Sequence, residues 1–128
     1  NRNILSKDEL LRLLDDENTI THRISYTLSR MIYKRVREKA FHPQARQRVL
    51  DIDNRLFSIV RISPDEKDVI LAITNVTGNP IDFTIDLAQY ELDFSSGYDI
   101  LSKKQYKPTH NTFTFTMEPY QVMWLKAM

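Results

Sequence analysis

Cysteine is absent from all 128 residues, which excludes disulfides, thiolate metal centres and a thiol nucleophile, and suits a reducing cytoplasm. Glycine occurs only as Gly78 and Gly97. The sequence therefore has no glycine-rich loop to cradle a phosphate and no Gly-x-Ser-x-Gly elbow to present a serine nucleophile. No apolar run approaches the roughly 20 residues that a membrane-spanning helix needs, and no signal-peptide pattern is visible. Neither charge is in excess: 18 Lys and Arg against 17 Asp and Glu leave a net charge of +1, with no long-range pull on nucleic acid or an anionic membrane. The chain opens on Asn1 rather than Met and reads as a piece of something longer, whose N-terminal part has room for the chemistry.

What remains is an ordinary globular composition, 41% hydrophobic and 27% charged. A chain of this length buries roughly two-thirds of its unfolded surface and needs no covalent staple. Ser6-Lys7-Asp8-Glu9 has the form of a capping box, followed by Leu10, Leu11, Leu13 and Leu14, so a short helix is expected up to the Asp15–Asn18 run. Thr19 or Thr21 can cap a second, longer helix. In it Ile24, Leu28, Met31, Ile32, Arg35 and Val36 share one face, Arg30, Lys34, Arg37 and Glu38 the other, and Pro43 marks its end.

Beyond Pro43 the apolar period changes from 3.6 to 2. Strands are expected at 47–52, 56–62, 69–75, 81–87, 98–101, 112–117 and 121–126, separated by turn-forming clusters. Ile81, Phe83, Ile85 and Leu87 alternate with Asp82, Thr84 and Asp86. Phe113, Phe115 and Met117 alternate with three threonines, so each strand has one dry and one wet face. Val69–Ile73 is apolar on both faces. It reads as a central strand covered on both sides, with the long helix as a natural cover unless that helix serves an absent neighbour. The fold class is thus mainly β: an antiparallel β-sandwich of six to seven strands preceded by two N-terminal α-helices. The boundary falls at Pro43, with a helical segment over 1–43 and the sandwich over 44–128.

Each candidate for chemistry has a plainer use. Asp51-Ile52-Asp53-Asn54 could begin a calcium loop, but Arg55 and Leu56 stand where an oxygen ligand and glycine are required, leaving a polar turn. His22, His42 and His110 share no ligand spacing. Asp82, Asp86, Glu91, Asp93 and Asp99 supply carboxylates for a retaining glycosidase pair, yet they fall on wet faces or in turns where nothing raises one pKa. Asn75-Val76-Thr77 fits the N-glycosylation pattern, a tripeptide common by chance. Tyr90, Tyr98, Tyr106 and Tyr120 are candidates for stacking on sugar rings, which keeps open a carbohydrate-binding module. Trp124 alternates with Val122 and reads as core. No catalytic, cofactor-binding or metal-ligating residue is therefore assigned.

Two stretches carry a family likeness. One runs from Arg35 through Ala40-Phe41-His42-Pro43-Gln44-Ala45 to Asp51-Ile52. The other is Phe113-Thr114-Phe115-Thr116-Met117-Glu118-Pro119-Tyr120-Gln121-Val122-Met123-Trp124-Leu125. In this order, with Asn75-Val76-Thr77-Gly78 and Tyr98-Asp99-Ile100-Leu101 between them, they resemble the C-terminal end of the α-amylase superfamily (glycoside hydrolase family thirteen), in its sucrose-phosphorylase-like branch. Gln44, in place of an asparagine, and Asp53-Asn54, in place of a glycine turn, depart from the pattern and touch no chemistry.

The resemblance implies the last helices of a catalytic (β/α)8 barrel followed by a C-terminal β domain that supports it. In that family the nucleophile Asp, the acid/base Glu and a second Asp stand on the barrel, and none of their motifs occurs here. The implied parent moves glucosyl units of α-glucosides between sugar and phosphate or water, in the cytoplasm and without a cofactor. The implied partner is the barrel of the same polypeptide, with self-association through the N-terminal helix if the barrel is removed, and with neither nucleic acid nor membrane involved.

Overall fold

The computed structural model describes residues 5–128. It divides into two compact units, one ending at Arg37 and one running from Glu38 to Met128.

The first unit is a pair of helices, α1 (Lys7–Asp15) and α2 (Ile20–Arg37). The expected capping box closes α1: the Glu9 amide donates to Ser6 Oγ at 3.2 Å, and the Ser6 amide donates to Glu9 Oε2 at 3.4 Å. Of the two threonines proposed as caps for α2, Thr19 takes the role and accepts from the His22 amide at 3.0 Å. The Thr19 hydroxyl also donates to the Leu13 carbonyl at 2.6 Å, which ties the start of α2 to the end of α1. Pro43 does not end the helix directly. Helical hydrogen bonding stops at Arg37, Glu38 is extended, and a 3-10 turn (Lys39–Phe41) intervenes.

The second unit is built of eight antiparallel strands: β1 (Arg46–Leu50), β2 (Leu56–Ile62), β3 (Val69–Asn75), β4 (Ile81–Asp86), β5 (Gly97–Asp99), β6 (Gln105–Tyr106), β7 (Thr112–Met117) and β8 (Val122–Ala127). Six form one sheet in the order β1-β2-β3-β8-β5-β6, and β4 pairs with β7 in the second. This is the expected sandwich with one strand more than the sequence indicated. The addition is β6, two residues long and too short to show alternation.

The alternation assigned to β4 and β7 is realised: Ile81, Phe83, Ile85, Phe113, Phe115 and Met117 point inward and are buried. They meet Leu56, Val60, Leu71, Ile73, Met123 and Leu125 of the larger sheet in one apolar cluster, closed at its side by Leu87, Leu92 and Phe94. Packing is close enough to dictate a glycine. A Cβ on Gly97, where β5 runs beside β8, would lie 2.7 Å from the Leu125 side chain, so that side chain or the strand itself would have to shift.

β3 is buried on both faces as expected, Leu71 toward the sandwich interior and Ile70 away from it. On that outer side the 3-10 turn contributes cover. Ala40 and Phe41 are buried, and the Phe41 ring lies 4.9 Å from that of Trp124. Trp124 is accordingly buried, but on the outer face of the sheet rather than in the sandwich interior, because Met123 and Leu125 occupy the inward positions of β8.

Candidate functional site

Several of the residues with chemical potential are engaged in local bonds where they stand. Asp53 and Arg55 form a bidentate pair across one turn, Arg55 Nε to Oδ1 at 2.9 Å and Nη2 to Oδ2 at 2.7 Å. With the Arg55 amide added, these bonds lower the Asp53 pKa to about 2. The pair locks the turn between β1 and β2, the reading preferred for this segment over a calcium loop. Asp82 accepts from the Thr116 hydroxyl across the β4–β7 pair at 2.7 Å, and Asp86 accepts from the Ala88 amide at 3.1 Å. The Ser63 hydroxyl and the Lys67 amide hold the Asp65 pKa below the ordinary carboxylate value. Asp99 is buried, and its Oδ1 accepts from the Trp124 amide at 3.0 Å and the Leu101 amide at 3.1 Å.

The histidines stay apart in function. His22 donates through Nδ1 to the Leu14 carbonyl, which fixes its tautomer, since a carbonyl can only accept. His42 Nδ1 accepts from the Gln44 amide at 3.1 Å, and His110 occupies a left-handed turn position with φ of 50°. Among the described residues, no three His, Cys, Asp or Glu side chains come together in a way that could hold a metal ion. The candidate sugar-stacking rings do not form one platform. The Tyr90 hydroxyl donates to the Asp51 carbonyl, Tyr98 is half-buried on β5, Tyr106 packs edge-on against Phe115, and Tyr120 is exposed. Asn75 is fully buried, which closes it to glycosylation in the folded chain.

The segments that carried the family likeness come together as joints of the fold. Asn75 satisfies both ends of its amide: Nδ2 donates to the Asn79 and Glu118 carbonyls, and Oδ1 accepts from the Thr77 amide and hydroxyl. The loop after β3 is thereby tied to the turn between β7 and β8. In that turn Pro119 and Tyr120 are the central residues, closed by a Gln121 amide bond to the Glu118 carbonyl. Tyr120 sits at φ of 58°, a conformation unfavourable for a bulky side chain. Its amide donates to the Thr77 carbonyl, and its ring lies against Gly78. A second joint is the Asp99 carboxylate, which holds β5 to the Trp124 backbone of β8. A third is Arg61, whose guanidinium donates to the carbonyls of Ala40 and His42 and to Gln47 Oε1. None of these roles showed in the sequence, where Asn75 stood out only as part of a glycosylation tripeptide and Asp99 only as a candidate carboxylate, and nothing set Arg61 apart. The signal that could have marked them is their place within or beside apolar strand patterns, where a polar side chain needs a partner.

No protein-family model matches the chain. Glucosylglycerate phosphorylase of Escherichia coli is 29% identical over 126 residues, covering 98% of this chain and 20% of its own length. Glucosylglycerate phosphorylase of Spirochaeta thermophila is 26% identical over 133 residues, covering 98% of this chain and 22% of its own length. The chain thus spans about a fifth of the length of the curated relatives it matches. Among solved structures, an Anoxybacillus α-amylase superposes with a TM-score of 0.70 at 12% identity, over 88% of this chain and 24% of its own. The chain is thus similar in sequence to a C-terminal part of these phosphorylases and shares the fold of part of an α-amylase. No helix among its described residues is long and apolar enough to cross a membrane.

Proposed function

We propose that this chain is the non-catalytic end of a glucosyl phosphorylase and that the whole polypeptide takes an α-glucoside of the glucosylglycerate type as donor. One observation carries the reading: two glucosylglycerate phosphorylases match 98% of the chain, while the chain spans only 20–22% of them. The functional carboxylates then stand on a (β/α)8 barrel that precedes this domain, with residues 1–43 leading out of the barrel and 44–128 forming the domain itself. The engagement of Asp53, Asp82, Asp86 and Asp99 in local bonds supports that division of labour. Neither cofactor nor metal is assigned to this part. The lack of cysteine suits a reducing cytoplasm.

In this reading a barrel carboxylate attacks C1 of the glucosyl unit while an acid protonates the departing oxygen of the acceptor. An oxygen of inorganic phosphate then attacks C1 and expels the carboxylate. Two inversions give α-glucose 1-phosphate with retained configuration. Incubation of the whole polypeptide with glucosylglycerate, with and without phosphate, tests the assignment. Glucose 1-phosphate formed only with phosphate is the expected result. Free glucose formed at the same rate in both would refute the phosphorylase while leaving the superfamily intact.

A further inference from the structure

Between the 3-10 turn and the turn that joins β2 to β3 lies a cavity of about 220 Å³, lined by Lys39, His42, Pro64 and Asp65. No step of the proposed function involves it. Both of its walls are held by hydrogen bonds. On one side the Arg61 guanidinium donates to the carbonyls of Ala40 and His42. On the other the Ser63 hydroxyl and the Lys67 amide both donate to Asp65 Oδ1. Those two bonds occupy one carboxylate oxygen and leave Oδ2 toward Lys39, whose Nζ stands 3.6 Å away. That separation is longer than the roughly 2.7–3.2 Å of a hydrogen bond, so each charge retains capacity for a further partner. His42 accepts from the Gln44 amide through Nδ1, which places the proton of its neutral ring on Nε2 and makes that atom a donor.

We infer that this cavity binds one uncharged, polyhydroxylated ring, a single monosaccharide unit. The polar groups select the ligand by charge. An anion attracted by Lys39 would meet the Asp65 carboxylate, and a cation attracted by Asp65 would meet the Lys39 ammonium. A hydroxyl avoids both conflicts, because it can accept from Lys39 or His42 while donating to Asp65. The Pro64 ring adds an apolar surface for the C–H side of a sugar ring. Size sets the number of rings. The cavity is smaller than the roughly 300–1,000 Å³ of drug-sized sites, so one ring fits and a longer saccharide would have to project from it. The inference draws on this cavity alone and holds whatever reaction the whole polypeptide performs.

Titration of the isotopically labelled 128-residue chain with D-glucose, followed residue by residue by NMR at fixed pH, tests the inference. Saturating shifts are expected at the amides of Lys39, His42 and Asp65. Those of Gly78, beyond the other end of β3, and of Thr84, on the second sheet, should not move. Asp65→Asn keeps an acceptor for Ser63 and Lys67 but loses the charge, and it should weaken glucose binding roughly tenfold. Lys39→Met, at an exposed position, should weaken it as well and keeps the test open if the first variant misfolds. Absence of a saturating shift, shifts spread evenly over the surface, or an affinity unchanged in both variants would overturn the inference. So would inorganic phosphate moving the three amides where glucose does not, since the cavity would then be an anion site.

Discussion

Asp99 and Ser58 are both buried polar side chains facing the same sheet, and their energetics should be opposite. Asp99 gives its carboxylate to two backbone amides, those of Trp124 and Leu101. The buried Ser58 Oγ has no partner. Removing the carboxylate in Asp99→Ala strands two donors, and the cost of unpaired buried amides puts the loss of stability at about 2–3 kcal/mol. Ser58→Ala strands nothing and relieves an unpaired hydroxyl, so it should be neutral or slightly stabilising, within about 0.5 kcal/mol. Urea unfolding of the two variants checks the contrast, and an equal loss in both would contradict the assigned roles. Asp53 supplies a pH signature. Its pKa in the fold is about 2, below the ordinary value, so the Arg55 pair adds stability above the unfolded pKa and loses it as pH falls through the folded one. The stability difference between wild type and Asp53→Asn should be constant near neutrality and shrink between about pH 4 and pH 2. A difference independent of pH over that window would show that the pair contributes nothing. At this scale the sequence was least legible. Residue type announced that Asp53 and Asp99 could carry charge, but only the fold shows which carboxylate is half-buried in a turn and which is fully buried against the β8 backbone.

At the scale of elements the sequence spoke more clearly, because period is a property of many residues at once. The alternation of β4 and β7 and the two-sided apolar run of β3 predict their burial correctly. Two features escaped. β6 is two residues long, below the length at which a period exists. The 3-10 turn at Lys39–Phe41 lay inside what read as the end of a helix, although its Ala40 and Phe41 are buried. The helical pair retains an apolar groove about 410 Å³ in volume, lined by Leu14, Ile24, Leu28 and Ile32 among others. Ile24, Leu28 and Ile32 are each more than half exposed. We propose that this stripe meets the barrel in the whole polypeptide and that, in the 128-residue chain alone, it drives self-association. Light scattering should show a mass that rises with concentration and falls back to the monomer in an Ile24→Glu, Leu28→Glu, Ile32→Glu variant. A monomer at every concentration would contradict this.

For the molecule as a whole, its most recognisable segments are also its structural joints. Asn75, Thr77 and Gly78 meet the Glu118–Gln121 turn, and Asp99 meets Trp124. These contacts give the segments that carried the likeness a structural role: they hold the loops and strands of the sandwich together. The proposed function places the chemistry outside this chain. The most direct measurement sets the 128-residue chain beside the whole polypeptide, each at the same molar concentration, with glucosylglycerate and phosphate. Glucose 1-phosphate from the whole polypeptide and none from the chain alone is the expected result. Turnover by the chain alone, abolished by a single substitution within it, would contradict the claim.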